Sequence, residues 1–98
     1  MTEAVDIAHD LSPPAISGGQ ALRRVIRVLD RIRSEEYRHR QIDEATLLAD
    51  AGFTSVDMVK VMLEIEAEFD LTIPQGDITP ENFMSPASIA AMLGRLAP

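Results

Sequence analysis

The stretch "GFTSVDMVKVMLEIEAEFDLTIP", residues 52–74, decides the fold of this chain. Apolar side chains recur along it at steps of three and four residues, at Val59, Met62, Ile65 and Phe69. Such steps place side chains on one face of a helix. The spacing therefore predicts an amphipathic α-helix with an apolar face against a core, and Val59 could be part of that face.

The predicted helix begins at Ser55, and this serine has two possible roles. Serine is a preferred N-cap because its hydroxyl accepts a hydrogen bond from an amide of the first turn. Asp57 in that turn suits the positive end of the helix dipole. The same hydroxyl is also a candidate site of covalent modification. It has no neighbouring His or Lys in the sequence, so a modifying enzyme would have to supply the base.

Helical signals continue on both sides of this stretch. A first helix is expected from about Gly19–Gln20 to Glu35, with an apolar stripe on one side and arginines on the other. Thr79-Pro80 and Ser85-Pro86 place a capping hydroxyl before a proline, which predicts a short helix and then a last helix. Since no segment alternates as a strand does, the prediction is an all-α fold of three main helices and one short helix.

One domain is predicted, preceded by a flexible segment. Residues 1–17 end within the stretch "SPPAISGG", residues 12–19, which is rich in Pro, Gly and Ser, and they are expected to form a flexible lead-in. Residues 18–98 are long enough for a single domain. Its core is expected to contain Val25, Leu29, Phe53, Met62, Ile65, Phe69, Ile73, Phe83, Ile89 and Leu93.

The charge of the chain is uneven, and this limits its partners. The 98 residues carry a net charge of −7 and no Cys. Residues 1–40 have seven Arg and six acids (+1), whereas residues 41–98 have two bases and ten acids (−8). An acidic body repels phosphate backbones, so nucleic acid is not expected as a partner despite the Arg-rich first helix. The acidity either attracts basic partner surfaces or serves solubility alone.

Enzyme and metal motifs are absent from the sequence. It contains no G-x-S-x-G, no glycine-rich phosphate loop, no metal-spaced pair of His and no Cys nucleophile. We therefore expect no catalysis and no metal. The N-terminal residues lack the order of a signal peptide, and no apolar run reaches membrane-spanning length. The expectation is a cytoplasmic monomer.

The whole pattern resembles the acyl carrier protein family. In that family the phosphopantetheine serine opens the second helix in a D-S-L motif, and a Phe and an Ile-Pro pair follow it. Here Phe69 lies fourteen residues after Ser55, and Ile73-Pro74 follows shortly afterwards. The resemblance covers about residues 18–97 and implies an acyl-carrier-protein-like four-helix bundle.

The resemblance also implies a function. A phosphopantetheinyl transferase would use coenzyme A and magnesium to attach 4'-phosphopantetheine to Ser55. The thiol of this arm would hold acyl groups as thioesters for ligases or synthases of fatty-acid, lipid or secondary-metabolite synthesis. The protein itself would catalyse nothing.

The same resemblance places a partner surface on the second helix. It implies apolar contacts by Val56, Val59 and Leu63, and acidic contacts by Asp57 and Glu66. The residues themselves leave a second interpretation open for the three apolar side chains, which is ordinary core packing.

Two positions depart from the family pattern. Thr54 stands where an Asp usually precedes the serine, and Lys60 stands where the family usually carries an acid. These departures imply a specialised carrier with dedicated enzymes. Two alternatives stay open: an aminoacyl cargo in place of a fatty-acyl one, and an acidic helical adaptor that is never modified.

Overall fold

The computed structural model describes residues 18–38 and 40–97. In these ranges the chain forms three α-helices and no strand: α1 (Gly18–Ile32), α2 (Ser55–Phe69) and α3 (Pro86–Leu96). The all-helical prediction is confirmed. The predicted lead-in, with His9, and the loop residue His39 lie outside the described residues.

Helix α1 ends earlier than the sequence predicts. It stops at Ile32, and Ser34 then takes an extended backbone with ψ of 154° before a separate 3-10 turn at Glu35–Tyr37. Serine competes for backbone hydrogen bonds and so favours helix ends over helix interiors. The predicted apolar stripe is confirmed, because each member is buried or partly buried against the core: Ala21, Val25, Ile26, Val28, Leu29 and Ile32.

Helix α2 buries a face that differs in phase from the predicted one. Its buried residues are Val61, Ile65 and Phe69, which recur every fourth residue. Of the two interpretations that the sequence leaves open for Val59, core packing is wrong, because Val59 is 53% exposed. Positions two residues apart on a helix point about 200° away from each other. Val61 and Val59 therefore cannot both face the core, and the alignment of Val61 with Ile65 and Phe69 decides between them.

Arginines of α1 fix α2 in an antiparallel orientation. Arg24 donates through Nε to Glu68 Oε2 at 2.9 Å, and its guanidinium lies 4.3 Å from the centre of the Phe69 ring. Further along α1, and one turn earlier on α2, Arg31 Nη2 lies 3.4 Å from Glu64 Oε1. The Arg24 contacts are half-buried and combine an ion pair with a cation–π interaction, whereas the Arg31 pair is exposed and contributes little.

The chain between α2 and α3 does not form the predicted short helix. Within residues 79–85 only one α-helical hydrogen bond forms, from Phe83 N to Thr79 O at 3.2 Å, and a 3-10 turn at Gln75–Asp77 precedes this segment. The segment is a turn because Ser85 already has an extended backbone and caps α3. The predicted start of α3 is confirmed, with Pro86 in its first turn.

The core joins the three helices to the loop between α1 and α2. Of the ten predicted core residues, Met62 and Phe83 are only partly buried, and the other eight are buried. Both exceptions still pack against the cluster. Ile42 and Leu48 bring the loop into the core, and Leu48 N donates to Met84 O at 3.0 Å, just before α3. The loop that leads to α2 is thus held from both sides.

We expect Phe69→Ala to lower the free energy of unfolding by about 3–5 kcal/mol. The ring is only 8% exposed and lies under the Arg24 guanidinium, so truncation leaves a cavity and removes the cation–π contact. Urea unfolding followed by circular dichroism measures the loss. Leu63→Ala on the same helix is the matched control, since Leu63 is 55% exposed. Equal unfolding midpoints for the two variants would contradict the observed helical phase.

Candidate functional site

A sharp turn precedes α2 and is shaped by one aromatic contact. Gly52 has a φ of 89°, a conformation that side chains rarely adopt. A Cβ atom at this position would also overlap the ring of Tyr37, which covers the turn. Phe53 follows with its side chain buried and its amide bonded to Leu48 O at 3.1 Å. The direction in which the chain enters α2 is therefore set by Gly52, Tyr37 and Phe53.

Thr54, not Ser55, caps α2. Thr54 Oγ1 accepts from Asp57 N at 3.1 Å, and Asp57 Oδ2 accepts from Thr54 N at 2.9 Å. This reciprocal pair is a capping box. The prediction that Ser55 is the N-cap is wrong by one residue. Thr54 has the extended backbone that a cap requires, and Ser55 is the first residue of the helix.

Ser55 is exposed at the N-terminus of α2. Among the residues that the structure describes, its side chain makes no hydrogen bond. The amides of Ser55 and Val56 lie in the first turn, where no carbonyl of the helix can accept from them. Such amides, together with the helix dipole, suit an anionic group. The Ser55 hydroxyl is thus free, accessible and next to donors that fit a phosphate.

An open apolar groove of about 690 Å³ lies beside Ser55. Its walls come from the loop before α2, from the first turns of α2 and from the turn before α3, and Met58, Met62 and Phe83 are among the lining residues. Ser55 and Thr54 lie at its edge. Leu47 and Met84, also in the lining, are about half exposed. A group attached to Ser55 therefore has an apolar surface within reach.

The residues predicted to contact partners have different surroundings. Val56, Val59 and Leu63 are 68%, 53% and 55% exposed, so they do not pack in the core. Asp57 is part of the capping box, and Glu66 Oε2 accepts from Ile73 N at 2.8 Å. Both carboxylates are partly buried and bonded within the chain. Partner contact by these five residues stays a prediction.

The described residues contain neither a metal-binding cluster nor a membrane-spanning helix. No group of three or more His, Cys, Asp or Glu in residues 18–38 and 40–97 lies close enough together to hold a metal ion. No helix in the same ranges has the length and apolarity needed to cross a membrane.

Residues 21–93 match the protein family described as "phosphopantetheine attachment site". The match covers most of the chain, and it includes α2, α3 up to Leu93 and nearly all of α1. The chain therefore belongs to the family of phosphopantetheine-binding carrier proteins, and its cofactor is a covalently attached 4'-phosphopantetheine. Carrier proteins are generally not catalytic.

Two relatives come from Bradyrhizobium diazoefficiens. The chain is 43% identical to aminoacyl carrier protein 1 over 70 residues, which are 71% of this chain and 78% of the relative. It is 39% identical to aminoacyl carrier protein 2 over 70 residues, or 71% and 79% of the two chains. Both relatives are thus named as aminoacyl carriers, and neither is named as a fatty-acid carrier.

Two crystal structures contain a similar chain, with a TM-score of 0.63 and 42% sequence identity in each case. The first is Bradyrhizobium japonicum glycine:[carrier protein] ligase complexed with glycylated carrier protein. The match covers 72% of this chain and 96% of the matched chain. The second is the same ligase complexed with its cognate carrier protein and an analogue of glycyl adenylate, with 74% and 94% matched.

We expect Thr54→Ala to lower the free energy of unfolding by about 1 kcal/mol, because Asp57 N loses its acceptor. Thr54→Asp restores an acceptor of similar capping strength and is the matched control, which also introduces the residue usual in the family. Denaturant unfolding of the variants, followed by far-ultraviolet circular dichroism, compares them. A Thr54→Ala protein as stable as the wild type would show that α2 does not depend on this cap.

Proposed function

We propose that this protein carries an amino acid as a thioester on a 4'-phosphopantetheine arm attached to Ser55 Oγ. The observation that carries the proposal is the free, exposed hydroxyl of Ser55 in the first turn of α2, within the segment that matches the attachment-site family. The arm supplies a terminal thiol, which holds a carboxylic acid in activated form.

The surroundings of Ser55 support attachment at this oxygen. A phosphopantetheinyl transferase would remove the Ser55 proton, and the oxygen would attack the pyrophosphate of coenzyme A. One phosphodiester bond to Ser55 forms, one phosphoanhydride bond breaks, and adenosine 3',5'-bisphosphate leaves. The chain offers no neighbouring base, so the transferase supplies it. The free amides of Ser55 and Val56 are suited to the phosphate that results.

The cargo is argued from the relatives. Both Bradyrhizobium diazoefficiens proteins are named aminoacyl carriers, and both crystal structures contain a ligase that acts with glycine. These findings favour the aminoacyl alternative over a fatty-acyl cargo. We accordingly propose an amino acid:[carrier protein] ligase as the loading partner. The apolar groove beside Ser55 is the specific observation that keeps a fatty-acyl cargo as the second candidate.

A cytoplasmic location, a monomeric state and a specialised set of partner enzymes stay predictions.

Incubation with coenzyme A, Mg²⁺ and a broad-specificity phosphopantetheinyl transferase should add one arm per chain. Ser55→Ala should abolish the addition because it removes the nucleophilic oxygen. Ser34→Ala is the matched control, since Ser34 is also exposed and its side chain makes no capping hydrogen bond. Intact-protein mass spectrometry counts the arms. A protein that gains none from several transferases would instead be an unmodified adaptor.

Once modified, the protein should accept an amino acid. Glycine:[carrier protein] ligase with ATP and glycine should add one glycyl group to the modified wild type and none to Ser55→Ala. A parallel reaction contains an acyl ligase of fatty-acid metabolism, ATP and a long-chain fatty acid. Thioester formation is measured by mass spectrometry and reversed by hydroxylamine. Loading by the fatty-acid ligase alone would overturn the proposed cargo and leave the attachment site intact.

A further inference from the structure

Gly52 is the most adaptable position of the chain just before Ser55. Among the described residues from 40 to 69 it is the one with a positive φ, at 89°. Glycine adopts this conformation readily, but it adopts many others as well, so a glycine does not fix the direction of the chain by itself. Another contact therefore has to select one conformation at this turn.

The Tyr37 ring makes that contact. A Cβ atom at Gly52 would overlap the ring atoms Cγ, Cδ2 and Cε2, so the ring packs directly on the glycine. Tyr37 is only half-buried and is not one of the buried residues of the core. Its hydroxyl makes no hydrogen bond within residues 18–38 and 40–97. The ring, and not the hydroxyl, is therefore the part of Tyr37 that acts on the turn.

A buried arginine holds the segment that carries Tyr37. Arg33 is 7% exposed, and its Nη2 donates to Arg38 O at 3.3 Å and lies 3.0 Å from Asp30 Oδ1. The 3-10 turn Glu35–Tyr37 is thereby tied to the end of α1. Arg33 Nε and Nη1 are buried without a hydrogen-bond partner in the described part of the chain, which costs stability. Costs of this kind are expected where a segment serves function as well as folding.

We infer that Tyr37, held by Arg33, is a positioning residue for the modification of Ser55. The inference rests on the proposed attachment of the arm to Ser55 Oγ. The Tyr37 ring fixes the turn at Gly52, and Phe53 anchors the next residue in the core. Together they set where the first turn of α2 presents the oxygen. A transferase brings its base and coenzyme A to one position of that oxygen, and the rate falls steeply when a reacting atom is displaced by about 1 Å.

Removal of the ring should slow attachment of the arm without weakening recognition. With coenzyme A, Mg²⁺ and a broad-specificity transferase, Tyr37→Ala should lower kcat about tenfold and raise KM for the carrier by no more than about twofold. The reason is that Gly52 then adopts conformations that misplace the oxygen. Tyr37→Phe keeps the ring and should restore both constants to within about twofold of wild type.

A double-mutant cycle tests the contact itself. Gly52→Ala should also lower kcat, because its Cβ overlaps the Tyr37 ring and a φ of 89° strains alanine. Adding Tyr37→Ala to Gly52→Ala should then cost clearly less than the loss it causes alone, since the ring no longer fits there. Independent effects would multiply instead.

Leu96→Ala is the matched control, because Leu96 is also partly buried and packs against the core from the end of α3. It should lower stability and leave kcat within about twofold of wild type. Backbone ¹⁵N relaxation should show lower order at residues 52–55 in Tyr37→Ala, and unchanged order in Tyr37→Phe and Leu96→Ala. Circular dichroism confirms folding, and Tyr37→Leu, with an intermediate kcat, replaces Tyr37→Ala if that variant does not fold.

The outcomes separate this inference from the function on which it rests. A wild-type kcat in Tyr37→Ala would overturn it. A raised KM with an unchanged kcat would overturn it too, since Tyr37 would then be a contact of the transferase. The same holds if Tyr37→Phe is as slow as Tyr37→Ala, because the hydroxyl would then be the acting group. Each of these results leaves attachment at Ser55 standing, whereas a wild type that gains no arm from several transferases removes both.

Discussion

The structure depends on the phase in which α2 lies against the rest of the chain. Val61, Ile65 and Phe69 form its buried seam, and Arg24 of α1 fixes the seam from outside through Glu68 and the Phe69 ring. With the seam buried, Val59 and Leu63 must face away from the core. The phase of α2 thus sets both the stability of the bundle and which apolar side chains the helix exposes to solvent.

The position of Ser55 follows from contacts at the N-terminal end of α2. Tyr37 covers the turn at Gly52, Phe53 enters the core, and the Thr54–Asp57 capping box starts the helix. The loop that carries these residues is tied to the start of α3, where Ala87 N donates to Glu44 O at 2.9 Å. This network holds the exposed Ser55 hydroxyl in place at the start of α2.

Much of this arrangement could be predicted from the sequence. Helical spacing and hydroxyl–proline pairs indicate the helix starts, and the Ser55–Phe69 spacing leads to the family. The sequence does not decide between some neighbouring residues. A spacing of three or four residues allows either Val59 or Val61 as a core residue, and only the packing of α1 selects between them. Thr54 and Ser55 are both good caps, so backbone geometry had to decide. The groove and the Tyr37–Gly52 contact join segments far apart in sequence and leave no local pattern.

The one-residue offset between cap and hydroxyl has a consequence for regulation. Because Thr54 and Asp57 hold the helix start, a substituent on the Ser55 oxygen displaces no hydrogen bond among the described residues. The capping box can therefore stay formed while an enzyme installs or removes the group.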